Sequence, residues 1–145
     1  MDDTRTHPRP RPSARTNVEA VDRFLDLLTA HDIAAATAMF AEDAEMVAPF
    51  SPPPLPPGGQ GRETIAELFG MIFSGYGRAE FLDRRIVATA DPDVVVARWR
   101  TDIEVLASGD RYRSEVIAVV ELRHGRFTRF IEYFNPDALR SAGVI

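Results

Sequence analysis

Near the C-terminus, Thr128, Phe130, Glu132 and Phe134 fall on one parity of an alternating run over 126–136. Three of these suit a packed interior; the fourth is a carboxylate between two phenylalanines. An unpaired carboxylate is costly to bury, so such a group either finds partners or keeps its proton. A glutamate with raised proton affinity suits acid/base work near neutral pH. The run also reads as an edge strand with Glu132 in water, and alternation leaves both readings open. Two further sets of residues could join it. Tyr112, Ser114, Val116, Ala118 and Val120 share a strand face that is mostly apolar. Arg100 and Asp102 also share a face, but Arg98 and Glu104 have the same parity. Four charges at period two fit a solvated or partner-facing surface as well as a pocket.

Composition narrows the chemistry. The chain has 145 residues, enough for one domain with a substantial core. Its net charge of −5 gives no basic face for nucleic acid. All 17 basic side chains are arginine, which excludes a Schiff-base or P-loop lysine. There is no cysteine, so thiol nucleophiles, disulfides and thiolate metal sites are absent. His7, His31 and His124 have no spacing that would gather a metal ion, and no metal or cofactor is expected. Carboxylates, arginine, tyrosine and hydroxyls remain. No apolar stretch is long enough to span a membrane, and no signal-peptide core is present, so a cytoplasmic location is expected.

The elements that must position these groups follow in order. Residues 1–16 mix proline, arginine and small polar groups and are expected to form a disordered tail, with one domain over 17–145. Val21, Phe24, Leu25 and Leu28 predict a helix, and Asp32 caps a second through Ile33, Ala36, Met39 and Phe40. Ala44 to Ala48 is a short strand. The proline- and glycine-rich stretch 49–60 forms a rim loop, with Phe50 and Leu55 expected over a pocket mouth. A third helix runs from Arg62 to Phe73, with Ile65, Leu68, Phe69, Ile72 and Phe73 on one side. Strands then occupy roughly 79–89, 93–106, 111–122 and 126–134, joined by short turns that make an antiparallel meander. Asn135 caps a short terminal helix. Helices followed by a long meander give an α+β domain: a curved antiparallel sheet wrapped on three helices, cone-shaped, with one apolar pocket at its open end.

This order, with Phe24-Leu25, His31-Asp32, Met39 to Ala44, Gly61-Arg62-Glu63, His124-Gly125-Arg126 and Glu132 to Pro136, resembles the SnoaL-like branch of the nuclear transport factor 2 superfamily. The resemblance covers about residues 17–143. The polar groups of ketosteroid isomerases fall on Phe24, Ala48 and Ala118, which excludes that chemistry. Phenazine-biosynthesis A/B proteins match better. Their Glu-Phe-Met-Asn-Pro run matches Glu132 to Pro136 and implies an acid/base role for Glu132; their pocket tyrosine falls on Tyr112, and their pocket histidine on Leu68. Limonene-type epoxide hydrolases imply Glu132 with Arg100 and Asp102 as a catalytic set, while their water-holding residues fall near Met46 and Ala48. That alignment needs a one-residue gap; without it Trp99 and Thr101 face inward.

The resemblance thus implies a cofactor-free acid/base enzyme of secondary metabolism that cyclises or isomerises an apolar polyketide or terpenoid. Epoxide opening is the second reading, and a non-catalytic binder of an apolar metabolite the third. Glu132, Tyr112, Arg100 and Asp102 are the expected catalytic residues. Phe24, Met46, Leu68, Phe69, Phe73, Trp99, Ser114, Val116, Ala118, Phe130 and Phe134 are expected against a small apolar substrate. Pairing through the outer sheet face would give a homodimer, with neither nucleic acid nor membrane as partner.

Overall fold

The computed structural model describes residues 12–145, with side chains from residue 14 on. Helix α1 spans Pro12–Thr29. It therefore begins inside the segment expected to be a disordered tail; residues 1–11 lie outside the described residues. Val21, Phe24, Leu25 and Leu28 form its buried stripe, as helical spacing predicts. The helix ends on His31, which takes the left-handed conformation (φ 58°) normally given to glycine. The His31 N–H donates to Leu28 O and the Asp32 N–H to Leu27 O, both characteristic of that terminus. Asp32 then caps α2, Ile33–Thr37, by accepting from the Ala35 N–H.

The second helix is shorter than its pattern predicts, because Phe40 belongs to the strand that follows. Strand β1, Phe40–Val47, runs parallel to the last strand, with Phe40 opposite Phe127. The remaining elements are β2 (Gly58–Gln60), α3 (Arg62–Ser74), β3 (Tyr76–Ala88), β4 (Val94–Val105), β5 (Arg111–Arg123), β6 (Arg126–Tyr133) and α4 (Pro136–Ser141). They form one six-stranded sheet of order β2-β1-β6-β5-β4-β3, antiparallel except for the β1–β6 ladder. Register breaks in β3, near Asp83 and at Glu121/Leu122 bend the sheet around the helices. Arg84, in the β3 break, donates to Asp22 and Asp26 and ties α1 across the sheet. This is the cone-shaped α+β architecture expected from the sequence, a curved and unclosed sheet with helices on its inner face.

Five phenylalanines close the narrow end. Phe24, Phe40, Phe69, Phe127 and Phe130 meet mostly edge to face or tilted, with ring centroids 5.2–6.3 Å apart. At the wide end the proline loop is fastened by β2, whose Gly58 pairs with Val47. A Cβ at Gly58 would collide with the Met46 carbonyl, and its φ of 147° is itself unfavourable for other residues. Gly58→Ala is therefore expected to cost about 2–3 kcal/mol, read as a lower urea midpoint at constant slope. An unchanged midpoint would mean that β2 does not fasten the loop.

Candidate functional site

Glu132 is the next inward position above Phe130 on β6, just past the phenylalanine floor. Here the sheet and helices separate and leave a cavity of about 410 Å³. Helix α1 contributes Phe24, Leu25 and Leu28, and α3 contributes Leu68, Phe69, Met71, Ile72 and Phe73. The sheet adds Met46, Tyr76, Phe81, Trp99, Thr101, Ile103, Tyr112, Phe130 and Glu132. Ala48, Ser51, Leu55, Pro56 and Gly58 in and beside the proline loop, Ala107 of the β4–β5 turn, and Gly143 with Val144 stand at the rim beside exposed Met71. Among the described residues lining this space, Glu132 is the single charged group, and no arginine or histidine joins it.

The Glu132 carboxyl has no hydrogen-bond or ion-pair partner among the described residues. Protein encloses it apart from the cavity side. Burial raises its pKa from the usual 4.5 to about 7. Two phenols face it. Tyr76, at the start of β3, is pushed up to about 12 by burial first and by Glu132 second. Tyr112 on β5 is raised by the same two causes in the same order, opposed by a hydrogen bond from Ser114. Both phenols thus stay protonated near neutral pH and can donate, while Glu132 sits at its midpoint. Trp99 Nε1–H donates to Thr101 Oγ1 at 3.0 Å, so the indole N–H needs no ligand acceptor.

The structure brings together most of the residues expected at the site: Glu132, Tyr112, Phe24, Met46, Leu68, Phe69, Phe73, Trp99, Phe130 and Phe134 line the cavity. Ser114, Val116 and Ala118 do not. They are buried in the same face, Ala118 directly across from Glu132, but stop short of the cavity wall. Ser114 instead accepts the Asn135 N–H at 3.3 Å and supports the turn after Glu132.

Arg100 and Asp102 are corrected outright: they lie on the outer face. Register pairs Trp99 with Val116 and Thr101 with Ser114 on the inside, which places Arg98, Arg100, Asp102 and Glu104 outside. Turning four charges inward would desolvate them all for no partner. Arg100 bridges to Asp83 at 3.0 Å, and Asp102 accepts from Arg111 at 2.7 Å. Arg111 and, more weakly, Arg113 hold the Asp102 carboxyl below the ordinary range. Asp102→Asn is expected to lower stability by about 1–2 kcal/mol through loss of a charged hydrogen bond, with turnover unchanged. Urea unfolding and turnover on the same variant check this, and reduced turnover at parental stability would return Asp102 to the site.

Phe50 is also displaced from its expected place. Its ring packs on Tyr133 at 5.8 Å on the outside, whereas Leu55 does reach the cavity. Tyr76 was not anticipated. It lies between two glycines without strand alternation, and only pairing with Val105 carries it into the cavity. His31 helps to set that position, with Nε2 2.6 Å from the Gly77 carbonyl oxygen and its ring against Phe73.

Comparison with known proteins agrees with this fold. The SnoaL-like domain family matches residues 21–130. A solved Bacillus subtilis protein provisionally assigned as an isomerase superposes with a TM-score of 0.85 at 24% identity, covering 91% of this chain and 95% of its own. A phenazine biosynthesis-related protein of Pseudomonas aeruginosa gives 0.79 at 20% identity, covering 92% and 84%. A provisionally assigned polyketide cyclase of Xanthomonas campestris gives 0.78 at 19%, covering 90% and 98%. At these identities the likeness concerns the fold.

Proposed function

Because the chain belongs to the SnoaL-like domain family, we propose that it is an acid/base enzyme that cyclises or isomerises an apolar polyketide or terpenoid held in the cavity. One observation carries the reading: an enclosed carboxylate with no partner among the described residues, its pKa raised by burial to about 7, faced by two phenols that remain protonated. Glu132 takes a proton from carbon next to a carbonyl and returns it at a second position. The hydroxyls of Tyr76 and Tyr112 are the donors available to the oxygen on which negative charge develops. The apolar walls hold the reacting atoms together and limit water. With Arg100 and Asp102 outside, no second carboxylate among the described residues faces the cavity to protonate an epoxide while Glu132 activates water. Proton transfer is therefore favoured over epoxide opening.

The test is turnover of a panel of apolar polyketones and enones by the parent and by Glu132→Gln. Parental turnover lost in the variant supports the reading. Tight binding with no turnover by either protein favours a binder.

The outer face supports a homodimer as a further part of this reading. Ile117 and Tyr133 are 46% and 38% exposed at its centre, flanked by Arg98 and Glu115. Sedimentation at micromolar concentration is expected to show a dimer, and monomer alone would remove this element.

A further inference from the structure

The sign of charge that the cavity accepts is written in its lining. It contains one carboxylate and no cationic side chain among the described residues. The same lining carries the rings of Phe73, Tyr76, Phe81, Trp99, Tyr112 and Phe134. Aromatic faces attract cations, and more strongly where water is excluded. An apolar anion would find only hydroxyls, those of Tyr76, Tyr112, Thr101 and Ser51, among the described lining side chains and would face Glu132. A neutral molecule offers the carboxylate at most a hydrogen bond and no counter-charge. An ammonium group alone among common charge types meets both a counter-ion and π faces.

We propose that the cavity is a receptor for an apolar amine, whose ammonium group seats against Glu132 within the aromatic wall. This deepens the reading above and rests on its first element, Glu132 facing the ligand. It names a ligand class for the same cavity, an apolar molecule carrying a basic nitrogen, with Glu132 as its counter-ion. The titratable groups facing Glu132 are Tyr76 from β3 and Tyr112 from β5; α1, α3, β1 and β4 present no ionisable side chain to the cavity. Among the described residues lining the cavity, Glu132 is therefore the group whose charge changes near pH 7; His31 stands behind the wall, against Phe73 and the Gly77 carbonyl, and does not line the cavity. Below its midpoint, binding of an ammonium expels the carboxyl proton to solvent, and the ion pair remains.

The experiment uses three probes of one shape: 4-phenylbutylamine, 4-phenylbutan-1-ol and 4-phenylbutyrate. The chain has one tryptophan, Trp99, and it lines the cavity, so its emission reports occupancy. Calorimetry in buffers of different ionisation enthalpy counts protons. The amine is expected to bind most tightly, gaining about tenfold between pH 6 and pH 8 and releasing one proton per site at pH 6. Butyrate is expected to bind worst. Glu132→Gln is expected to weaken the amine by at least about tenfold while leaving the alcohol unchanged. Equal binding of amine and alcohol, unchanged amine affinity in the Gln variant, or no amine binding at millimolar concentration overturns the proposal. Glu132-dependent turnover of neutral polyketones would survive any of those results, so the two failures are distinguishable.

Discussion

Glu132→Gln is expected to reduce turnover by about 10²- to 10⁴-fold, the usual contribution of a positioned acid/base group. The amide keeps the size of the side chain and can still hydrogen-bond, so substrate still fits between Phe130 and Phe134, but it cannot exchange a proton. In the parent, kcat/KM against pH is expected to rise through an inflection near 7, as the carboxylate form accumulates. The phenols contribute no inflection below pH 10, because burial and the Glu132 charge both hold their protons. In the variant the residual rate is expected to be flat across that window. A variant with the parental rate would remove Glu132 from catalysis. A slow variant that kept the inflection near 7 would assign that titration to another group.

Much of this site could be read from the sequence, and the reason is local. Phe130 and Glu132 alternate on a short strand that Phe134 continues one residue past its end, and alternation translates directly into a shared face. The same rule misplaced Thr128. The register shifts at Glu121/Leu122, so Phe127 and Phe130 both turn inward while Thr128 bonds to the Glu121 carbonyl. A bulge alters parity without a signature in composition. For β4 the signal was present: Val95, Ala97, Trp99, Ile103 and Val105 make one apolar parity and are all buried. An alignment gap drawn from the epoxide hydrolases competed with that pattern, and the desolvation cost of four charges decides between the two. Phe40 looked helical because Ala36 precedes it at helical spacing, but its partner Phe127 lies far along the chain. Tyr76 and Phe50 depend wholly on tertiary pairing, to Val105 and Tyr133 respectively, and no local pattern marks either.

The same carboxyl is expected to make the protein less stable as pH rises from 4.5 to about 7. In the unfolded chain Glu132 titrates at the usual 4.5, and in the folded chain at about 7. Between those values the native state holds a proton that the unfolded state has released, so each step up in pH favours unfolding. The contribution is complete below 4.5, declines through the window and is gone above about 7. A shift of that size corresponds to about 3 kcal/mol, and water in the open cavity reduces the expected loss to roughly 2–3 kcal/mol. Asp102 works in the opposite sense. Arg111 depresses its pKa, so its stabilisation is present above the ordinary carboxylate range and fades only in acid, below this window. Glu132→Gln carries no ionisable proton, and its unfolding free energy is expected to stay flatter from pH 4.5 to 8, crossing above the parent at the alkaline end. Urea unfolding at several pH values, parent beside variant, measures the difference directly. Parallel curves would show that Glu132 ionises freely in the folded protein, and the inflection expected near 7 in kcat/KM would then have no source in this carboxyl. Curves that diverge as described would mean that one carboxyl exchanges its proton near pH 7 and weakens the fold there through the same desolvation.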